Sequence, residues 1–405
     1  MESETNAEKK VFGQKTNHHP LKDLNVNNVS SGMISGMLAM TGPPAIILEA
    51  ASVGQFTPGQ TISWMFAVYF FGGLFGIIFP LLYKIPITGA HSISGVAFLV
   101  TMTPLFSFSE LVGAYLLSGA IMFIIGISGL FTKIMKWFPK ETIAAMLGGL
   151  ITTYVVRLVS SVNDLAVVGI PALISFFIFT KWIKRVPAVL GAVAVALVTV
   201  LVTQDIQISP LETQYVLPSV YMPEFSTTAL LTISLPLTLL VLSNDAAPGI
   251  GALQSTRFNP PIKSIISAGG LFSMLAGFFG GQSANVAGMM SAICSGEESG
   301  PRNKRYMAAV VSGVVILLFG IFAWAVVPFI QALPISFVSM LAGFALIGVL
   351  GTSLQAGFSN QKYRLSSTFT FAIALSNISF FHISAPVVAL LVGAFIAKFI
   401  EQNKE

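Results

Sequence analysis

The chain has 405 residues, of which 54% are hydrophobic and only 9% are charged, and its formal net charge is +5. Because a soluble domain carries about 25% charged residues, this composition excludes a soluble monomer and indicates a protein that lies mostly in lipid. The single cysteine, Cys294, excludes disulfides and thiolate metal sites, and the four histidines have no metal-ligand spacing. We therefore expect no cofactor and no metal, and we attribute the positive charge to membrane-flanking loops rather than to a nucleic-acid surface.

Long apolar stretches separated by short polar turns predict an all-α polytopic membrane protein with fourteen transmembrane segments. A helix needs about 20 apolar residues to cross the hydrocarbon, so fourteen of them leave no room for a large soluble domain. The third, eighth and tenth segments are short or interrupted by Gly, Pro and polar residues. The predicted spans are 28–50, 59–82, 86–102, 109–132, 141–159, 165–182, 187–203, 228–246, 262–280, 283–295, 304–329, 334–352, 364–379 and 383–400.

The basic residues fall on one side of this arrangement, with Arg157 as the single exception among 21. Positive charge in short loops sets orientation during insertion, so both termini are predicted to be cytoplasmic. Residues 1–27 lack the apolar region of a signal peptide and are predicted to form a disordered tail. Arg157, near the outer end of span 5, could extend its charge to the interface or attract anions, and Glu49 is interpreted as an interface charge at the outer end of span 1.

The outer loop 204–226 separates seven spans from seven. An odd number of spans in each half gives the halves opposite topology, which predicts a 7+7 inverted repeat. Matching interruptions support this prediction, because span 3 reads GAHSISG from Gly89 and span 10 reads GQSANVAG from Gly281. Thr41-Gly42-Pro43-Pro44 in span 1 has a counterpart in Ala247-Pro248-Gly249 in span 8.

Short, Gly-interrupted spans at matching positions point to a binding site near the middle of the membrane. A broken helix leaves free N–H groups that must face protein or a wet cavity, and the N-terminus of a half-helix suits an anion. Ser92 and Asn285 stand where such half-helices would begin, and either residue type is a good N-cap. The alternative is that Gly and Ser only allow helices to pack closely.

Asp245 is the strongest single candidate for a functional residue, because it lies late in span 8, directly before the Ala-Pro-Gly segment. An Asp in the middle of a membrane helix costs about 2.5–3.5 kcal/mol on insertion scales and usually marks an ion or proton pathway. It could instead pair with Arg257 or cap the break. His91 could titrate near neutral pH or donate a hydrogen bond in a polar pocket.

The chain contains no ATP-binding P-loop and no HExxH or GxSxG motif. We therefore predict that it is not an enzyme, and that any transport is either downhill or driven by an ion gradient. A membrane scaffold or receptor is disfavoured because no sizeable soluble domain is present.

Several segments, taken in order, carry a family resemblance from about residue 28 to the C-terminus. They are Thr41-Gly42-Pro43-Pro44 with the Ala-rich stretch to Ala51, YKIPITGAHS at 83–92, AAMLGG at 144–149 with Arg157 beyond it, APGI at 247–250 and SAIC at 291–294. Together they resemble the benzoate:proton symporters of bacterial inner membranes, which are related in fold to uracil:proton symporters and anion transporters.

The resemblance implies two domains that move against each other in an elevator mechanism. Spans 1–4 and 8–11 (28–132 and 228–329) would form the core domain, and spans 5–7 and 12–14 (133–203 and 334–400) the gate domain, through which a homodimer would form. Short strands are implied in spans 3 and 10, with substrate between them. Asp245 is the predicted proton-coupling residue because it is a lone carboxylate in the middle of the membrane, beside the two breaks. The implied substrate-binding residues are Ala90, His91, Ser92, Ser94, Ser283, Ala284, Asn285, Thr41 and Gly42.

Three departures from the family pattern surround this pocket. Asp245-Ala246 replaces an amide pair and places a carboxylate where the uracil transporters have a glutamate. Ala284 stands where those relatives have a second carboxylate, and His91 replaces a bulky aromatic residue. The predicted function is proton-coupled symport of a small organic anion, with an aromatic carboxylate such as benzoate as first choice. A nucleobase:proton symporter and an uncoupled anion channel or facilitator are the alternatives.

Overall fold

The computed structural model describes residues 20–131, 133, 139–183, 186–204, 206, 215–376, 378 and 385–401. Seven of its helical segments are long and apolar enough to cross a membrane. They are Val26–Val53, Pro58–Tyr83, Phe108–Ser128, Lys140–Asp164, Thr227–Ser255, Arg302–Ile321 and Ile335–Gly357. Shorter apolar helices cover Ile93–Leu105, Ala166–Trp182, Ala188–Thr203 and Ile262–Gly277, so the described residues form a predominantly helical membrane protein.

The elements are numbered here in chain order. The first half contains α1 (Val26–Thr41), α2 (Pro43–Val53), α3 (Pro58–Tyr83), β1 (Gly89–Ala90), α4 (Ile93–Leu99), α5 (Phe108–Ser128), α6 (Lys140–Asp164), α7 (Ala166–Trp182) and α8 (Ala188–Thr203). The second half contains α9 (Thr227–Ser255), α10 (Ile262–Gly277), β2 (Asn285–Val286), α11 (Gly288–Ser295), α12 (Tyr306–Ile321), α13 (Ala323–Gln331), α14 (Ile335–Gly357), α15 (Arg364–Ser376) and α16 (Ala385–Ile396). Short 3₁₀ and π turns complete the described chain.

The helices pack in two groups. In the first group, α12 packs on α1 and α3, α5 packs on α10, and the end of α9 packs on α11. In the second group, α6 packs on α14 and α15, α7 packs on α8, and α15 packs on α16. The two groups touch where α2 meets α14, α1 meets α8 and α4 meets α6. The interrupted segment that contains α4 lies at this boundary, through its contact with α6.

The two short strands pair with each other, although they are far apart in sequence. β1 and β2 are antiparallel, with Gly89 opposite Val286 and Ala90 opposite Asn285. A side chain at Gly89 would collide with the backbone of α3, because an added Cβ would lie 2.7 Å from Gly76 N and closer still to Gly72 O. Only glycine therefore lets β1 lie directly on α3.

Two predicted helix boundaries are wrong. The break expected at Ala247-Pro248-Gly249 does not occur, since α9 continues to Ser255. A proline inside a helix removes one backbone hydrogen bond and crowds the preceding turn, and here a π turn at Val241–Ala246 stands directly before it. The wider turn accommodates the proline without ending the helix. Conversely, the predicted span 304–329 is interrupted at Phe322, between α12 and α13.

The predicted disorder of residues 1–27 is wrong for its last eight residues, and residues 1–19 lie outside the described part of the chain. Pro20–Asp23 forms a 3₁₀ turn, and Asn25 and Asn28 form a reciprocal capping box that starts α1. The Tyr306 hydroxyl donates a hydrogen bond of 2.8 Å to Asp23 Oδ2. These side-chain contacts order a segment whose composition alone suggests a flexible tail.

The described end of the outer loop, residues 215–226, is held against the first helix group. Ser63 Oγ donates to Ser219 O at 3.1 Å. Tyr221 N donates to Phe278 O at 2.8 Å, and Glu224 N donates to Ser109 O at 2.9 Å. Residues 215–226 are therefore packed against the helices rather than loose.

Candidate binding site

The site begins where the two interrupted segments meet. Lys84 ends α3 with a left-handed backbone, at φ 56°, and Pro86 cannot continue a helix. In the second interrupted segment, Gly280 lies between α10 and β2 and has φ +83°, which changes the direction of the chain there. Each segment then forms one short strand and one half-helix, β1 with α4 and β2 with α11. Two broken spans thus approach each other from opposite directions, as the sequence predicts.

Three backbone N–H groups of the breaks donate to protein acceptors, which avoids the cost of leaving them unsatisfied in lipid. Ala287 N donates to Thr88 O at 3.0 Å. Ser92 N donates to Ser283 Oγ at 2.9 Å, and Ala284 N donates to Ser273 Oγ at 3.0 Å. The serines therefore replace the helical hydrogen bonds that the interruption removes, and they tie the two breaks to each other.

Ser92 is the N-cap of α4, as predicted. Its hydroxyl accepts a 3.0 Å hydrogen bond from Gly95 N and lies 3.0 Å from Ser94 Oγ. The same hydroxyl neighbours the Asp245 carboxyl group on α9. Gln282 Nε2 donates to Ser92 O at 3.4 Å, and Gln282 Oε1 accepts from Trp64 Nε1 at 2.6 Å. Capping and side-chain contacts thus fix this turn from several directions.

The expectation that Asn285 caps the second half-helix is wrong. Asn285 lies in β2, α11 begins three residues later at Gly288, and no side chain caps its start at Ala287. Pairing with Ala90 requires an extended backbone at Asn285, which removes it from the capping position. Its amide Nδ2 donates instead to Val286 O at 3.0 Å.

A cavity of about 120 Å³ lies beside the two strands, between the two helix groups. A single water needs about 10–15 Å³ of such volume, so the cavity can hold a small organic molecule. Most of its wall is apolar. Its lining residues are Leu38, Ala39, Thr41, Pro43, Ala90, His91, Ile93, Ser94, Leu147, Val189, Asn244, Asp245, Ala287, Gly288, Met289, Met290, Ala345 and Val349.

Three residues of this wall carry buried polar atoms without a hydrogen-bond partner among the described residues. The atoms are Oδ2 of Asp245, Nδ2 of Asn244 and both ring nitrogens of His91. A buried polar group that lacks a partner costs about 1–3 kcal/mol. Such atoms at the wall of a cavity are therefore positioned to bind a ligand that supplies the missing hydrogen bonds.

The structure brings five of the predicted site residues to the cavity and places the other five elsewhere. Thr41, Ala90, His91, Ser94 and Asp245 line it. Ser92, Ser283, Ala284 and Asn285 lie behind the lining, where they connect the two breaks. Gly42 lies between α1 and α2, and a Cβ there would come within 2.8 Å of Leu341 O and still closer to Ala345 Cβ, so Gly42 serves close packing against α14.

Asp245 is not paired with Arg257, which was one sequence-based alternative for it. The two ion pairs in the described part of the chain are Arg157–Glu49 and Lys304–Asp23. Nor does Asp245 cap a break, since it lies inside the π turn of the continuous helix α9. Asp245 lies instead in the wall of the cavity.

Sequence reasoning missed Asn244 and the contribution of the second helix group. Asn244 is adjacent to Asp245, and the interrupting polar pair Asn-Asp was the available signal. Leu147 belongs to the AAMLGG segment that carried the family resemblance, but its role as a wall residue depends on tertiary packing. Met289 and Met290, at the start of α11, supply flexible apolar surface to the same wall.

Comparison with known proteins gives consistent matches over nearly the whole chain. A family model described as benzoate membrane transport protein matches residues 22–399. The inner membrane protein YdcO of Escherichia coli K12 is 30% identical over 365 residues, which cover 90% of this chain and 93% of that protein. The benzoate membrane transport protein of Acinetobacter baylyi is 28% identical over 380 residues, covering 94% and 96%.

Two solved structures share the fold at low sequence identity. The transmembrane domain of the cyanobacterial bicarbonate transporter BicA has a TM-score of 0.59 and 16% identity, covering 92% of this chain and 98% of that one. SLC26A9 has a TM-score of 0.63 and 12% identity, covering 96% of this chain and 67% of that one. At these identities the likeness establishes a transporter fold and nothing about the substrate.

Proposed function

The chain belongs to the benzoate membrane transport protein family, and from this premise we propose that it is a proton-coupled symporter of a small organic anion, of which an aromatic carboxylate such as benzoate is the first choice. The observation that carries the proposal is the cavity between the two helix groups. It combines apolar walls with a buried carboxyl group, Asp245, that has an unpartnered oxygen. The family is one of membrane transporters, so the predicted absence of enzymatic activity stands.

The walls suit a substrate with an apolar ring and one anionic end. Leu147, Met290 and Val349 offer apolar contact for the ring. The first turn of α11 faces the cavity through Gly288 and Met289, and in the described part of the chain no side-chain hydrogen bond caps the helix at Ala287. The helix dipole and the N–H groups of this first turn favour a carboxylate there, and the unpartnered Asn244 amide supplies a further donor.

Asp245 is the residue proposed to carry the proton. Moving a lone anion through an apolar environment is costly. If Asp245 takes up a proton when the substrate carboxylate enters, the net charge of the cavity stays the same as before loading. When protonated, Asp245 also gains an O–H donor for the substrate. Loading of anion and proton would therefore be linked, and the proton gradient would drive accumulation.

Alternating access is proposed to follow an elevator motion of two domains. The core would contain 28–132 and 228–329, and the gate 133–203 and 334–400, in a 7+7 inverted repeat of fourteen spans with both termini cytoplasmic in the inner membrane. The antiparallel pairing of two strand–helix segments and the packing of helices in two groups support this arrangement. A homodimer through the gate domain completes the proposal.

The experiment uses purified protein in liposomes with an imposed inward proton gradient. Labelled benzoate is expected to accumulate above its external concentration and to be displaced by unlabelled benzoate but not by uracil. Accumulation should collapse when a protonophore removes the gradient. Displacement by uracil alone would support a nucleobase carrier, and benzoate currents without proton movement would support an uncoupled channel. Either result would reject the proposal.

A further inference from the structure

His91 is the cavity residue whose hydrogen-bonding capacity is least used by the protein. It follows β1 directly, is only 4% exposed, and lines the cavity. Both of its ring nitrogens are buried without a hydrogen-bond partner among the described residues. The ring is nevertheless held in place, because it packs edge-to-face on Tyr69 with the ring centroids 4.9 Å apart and an interplanar angle of 71°.

The hydroxyl groups of Tyr69, Ser92 and Ser283 already have other partners. The Tyr69 hydroxyl donates a 2.7 Å hydrogen bond to Ala39 O. The Ser92 hydroxyl caps α4 and contacts Ser94, and Ser283 accepts from the backbone of Ser92. These hydroxyls are engaged elsewhere, and neither the Asn244 amide nor the Asp245 carboxyl group hydrogen-bonds to His91 among the described residues. A ligand in the cavity can therefore supply the partner that His91 lacks.

The chemistry of imidazole limits what that partner can be. A neutral imidazole presents one N–H donor and one acceptor nitrogen. An ionised carboxylate is acceptor-only, so benzoate can bind the donor nitrogen but cannot satisfy the acceptor. A hydroxyl group on the substrate can donate to that acceptor. A benzoate with a ring hydroxyl therefore meets both requirements of His91, whereas benzoate itself leaves one buried nitrogen unsatisfied.

We propose that His91 is a specificity-determining residue, and that it selects aromatic carboxylates bearing a ring hydroxyl over benzoate itself. The inference rests on the proposed function, since it assigns the preferred substrate class of the same cavity. A site built to bond a hydroxyl rejects an analogue that lacks it, because the polar group of the site is then left unpaired. A single unpaired group of this kind costs about 1–3 kcal/mol, which corresponds to a preference of at least about fivefold.

The test compares benzoate with 2-, 3- and 4-hydroxybenzoate in uptake by the full-length protein in liposomes. In the unaltered protein, the KM of at least one hydroxybenzoate should lie about fivefold or more below that of benzoate. His91→Phe keeps an aromatic ring against Tyr69 but removes both nitrogens, so it should abolish the preference and bring the KM values of benzoate and the hydroxybenzoates within about threefold of each other. His91→Gln retains a donor and an acceptor and should restore part of the preference.

Each result has a defined consequence. Loss of the preference in His91→Phe with partial recovery in His91→Gln supports the inference. Uptake of benzoate and all hydroxybenzoates with equal KM in the unaltered protein overturns the inference but leaves the proposed anion transport intact. The same holds for a preference that His91→Phe retains. If neither class of acid is taken up, the proposed function itself fails and the inference fails with it. The comparison in the unaltered protein needs no variant to fold.

Discussion

Arg157 and Glu49 form an ion pair that joins the two helix groups, with Arg157 Nη1 2.5 Å from Glu49 Oε1. Arg157 belongs to α6 and Glu49 to α2, so the pair links one helix of each group. The sequence analysis considers these two residues separately. Arg157 is the single basic residue away from the predicted cytoplasmic side, and Glu49 is an acidic residue at the outer end of span 1. Each charge is explained by the other.

The position of this pair has a consequence for an elevator mechanism. Both residues lie towards the predicted outer ends of their helices, beyond the cavity-lining residues Thr41 and Leu147. If the two helix groups slide against each other, the pair must separate. The Arg157 side chain is 61% exposed and that of Glu49 is 23% exposed, so solvent screens the attraction and keeps its contribution small enough to break.

The first prediction concerns the sign of these charges. Arg157→Glu should replace attraction by repulsion and lower the initial rate of benzoate uptake, because the contact between the groups is disturbed. The double variant Glu49→Arg with Arg157→Glu should recover most of the rate, since it restores an opposite pair. The thermal midpoint should change little in either variant, because exposed pairs contribute about 0–1 kcal/mol.

Asp164→Arg, at the end of the same helix, is the matched control and should have little effect on uptake. A double variant that is as slow as Arg157→Glu, or slower, would show that the pairing of these two charges does not matter for transport.

The second prediction separates a wall residue from a neighbouring structural one. Asn244→Leu removes an amide that faces the cavity without a partner. A hydrogen bond to a charged group contributes about 1.5–3 kcal/mol, so the KM for an anionic substrate should rise by about tenfold or more. Asn285→Leu changes the same residue type behind the lining, and should reduce folded yield more than it changes the KM of the protein that does fold. A larger KM effect at Asn285 than at Asn244 would contradict this assignment of the wall.

The third prediction tests the close approach of β1 to α3. Gly89→Ala would place a methyl group against the backbone of Gly72 and Gly76. Inserting a methyl group into a packed interior costs about 1–3 kcal/mol, so the thermal midpoint of the purified protein should fall. Gly348→Ala provides the control, because nothing lies within 4 Å of a Cβ added there. Equal midpoints for the two variants would mean that β1 does not lie on α3 in this way.

The interrupted segments were predictable because their signals are local. Pro86 and the glycines around it prevent a continuous helix, and Ser92 is a residue type that caps one. The pairing of the two interruptions followed from their matching places in the two halves. The family predicted from a few short segments is confirmed by the match over residues 22–399.

The features that the sequence analysis missed depend on contacts between distant residues. Local propensity favours a break at Pro248, but the π turn before it lets α9 continue. Asn285 is an acceptable N-cap by type, yet strand pairing with Ala90 draws it into β2. The ion pair of Glu49 with Arg157 joins residues 108 positions apart, and no spacing rule relates them.

The residues that line the cavity differ in the same way. His91 and Asp245 stand out in the sequence because a polar side chain inside an apolar span is costly. Leu147, Val189 and Val349 do not stand out, since apolar residues fill every span and only packing decides which of them face the cavity.

The most direct test of the central claim is a comparison of uphill uptake with exchange in Asp245→Asn. The amide has nearly the same shape as the carboxyl group but cannot take up and release a proton. We predict that this variant loses accumulation of benzoate driven by a proton gradient, while it still exchanges labelled for unlabelled benzoate at equal concentrations. Undiminished accumulation in Asp245→Asn would contradict the assignment of the proton to this residue and, with it, the proposed coupling mechanism.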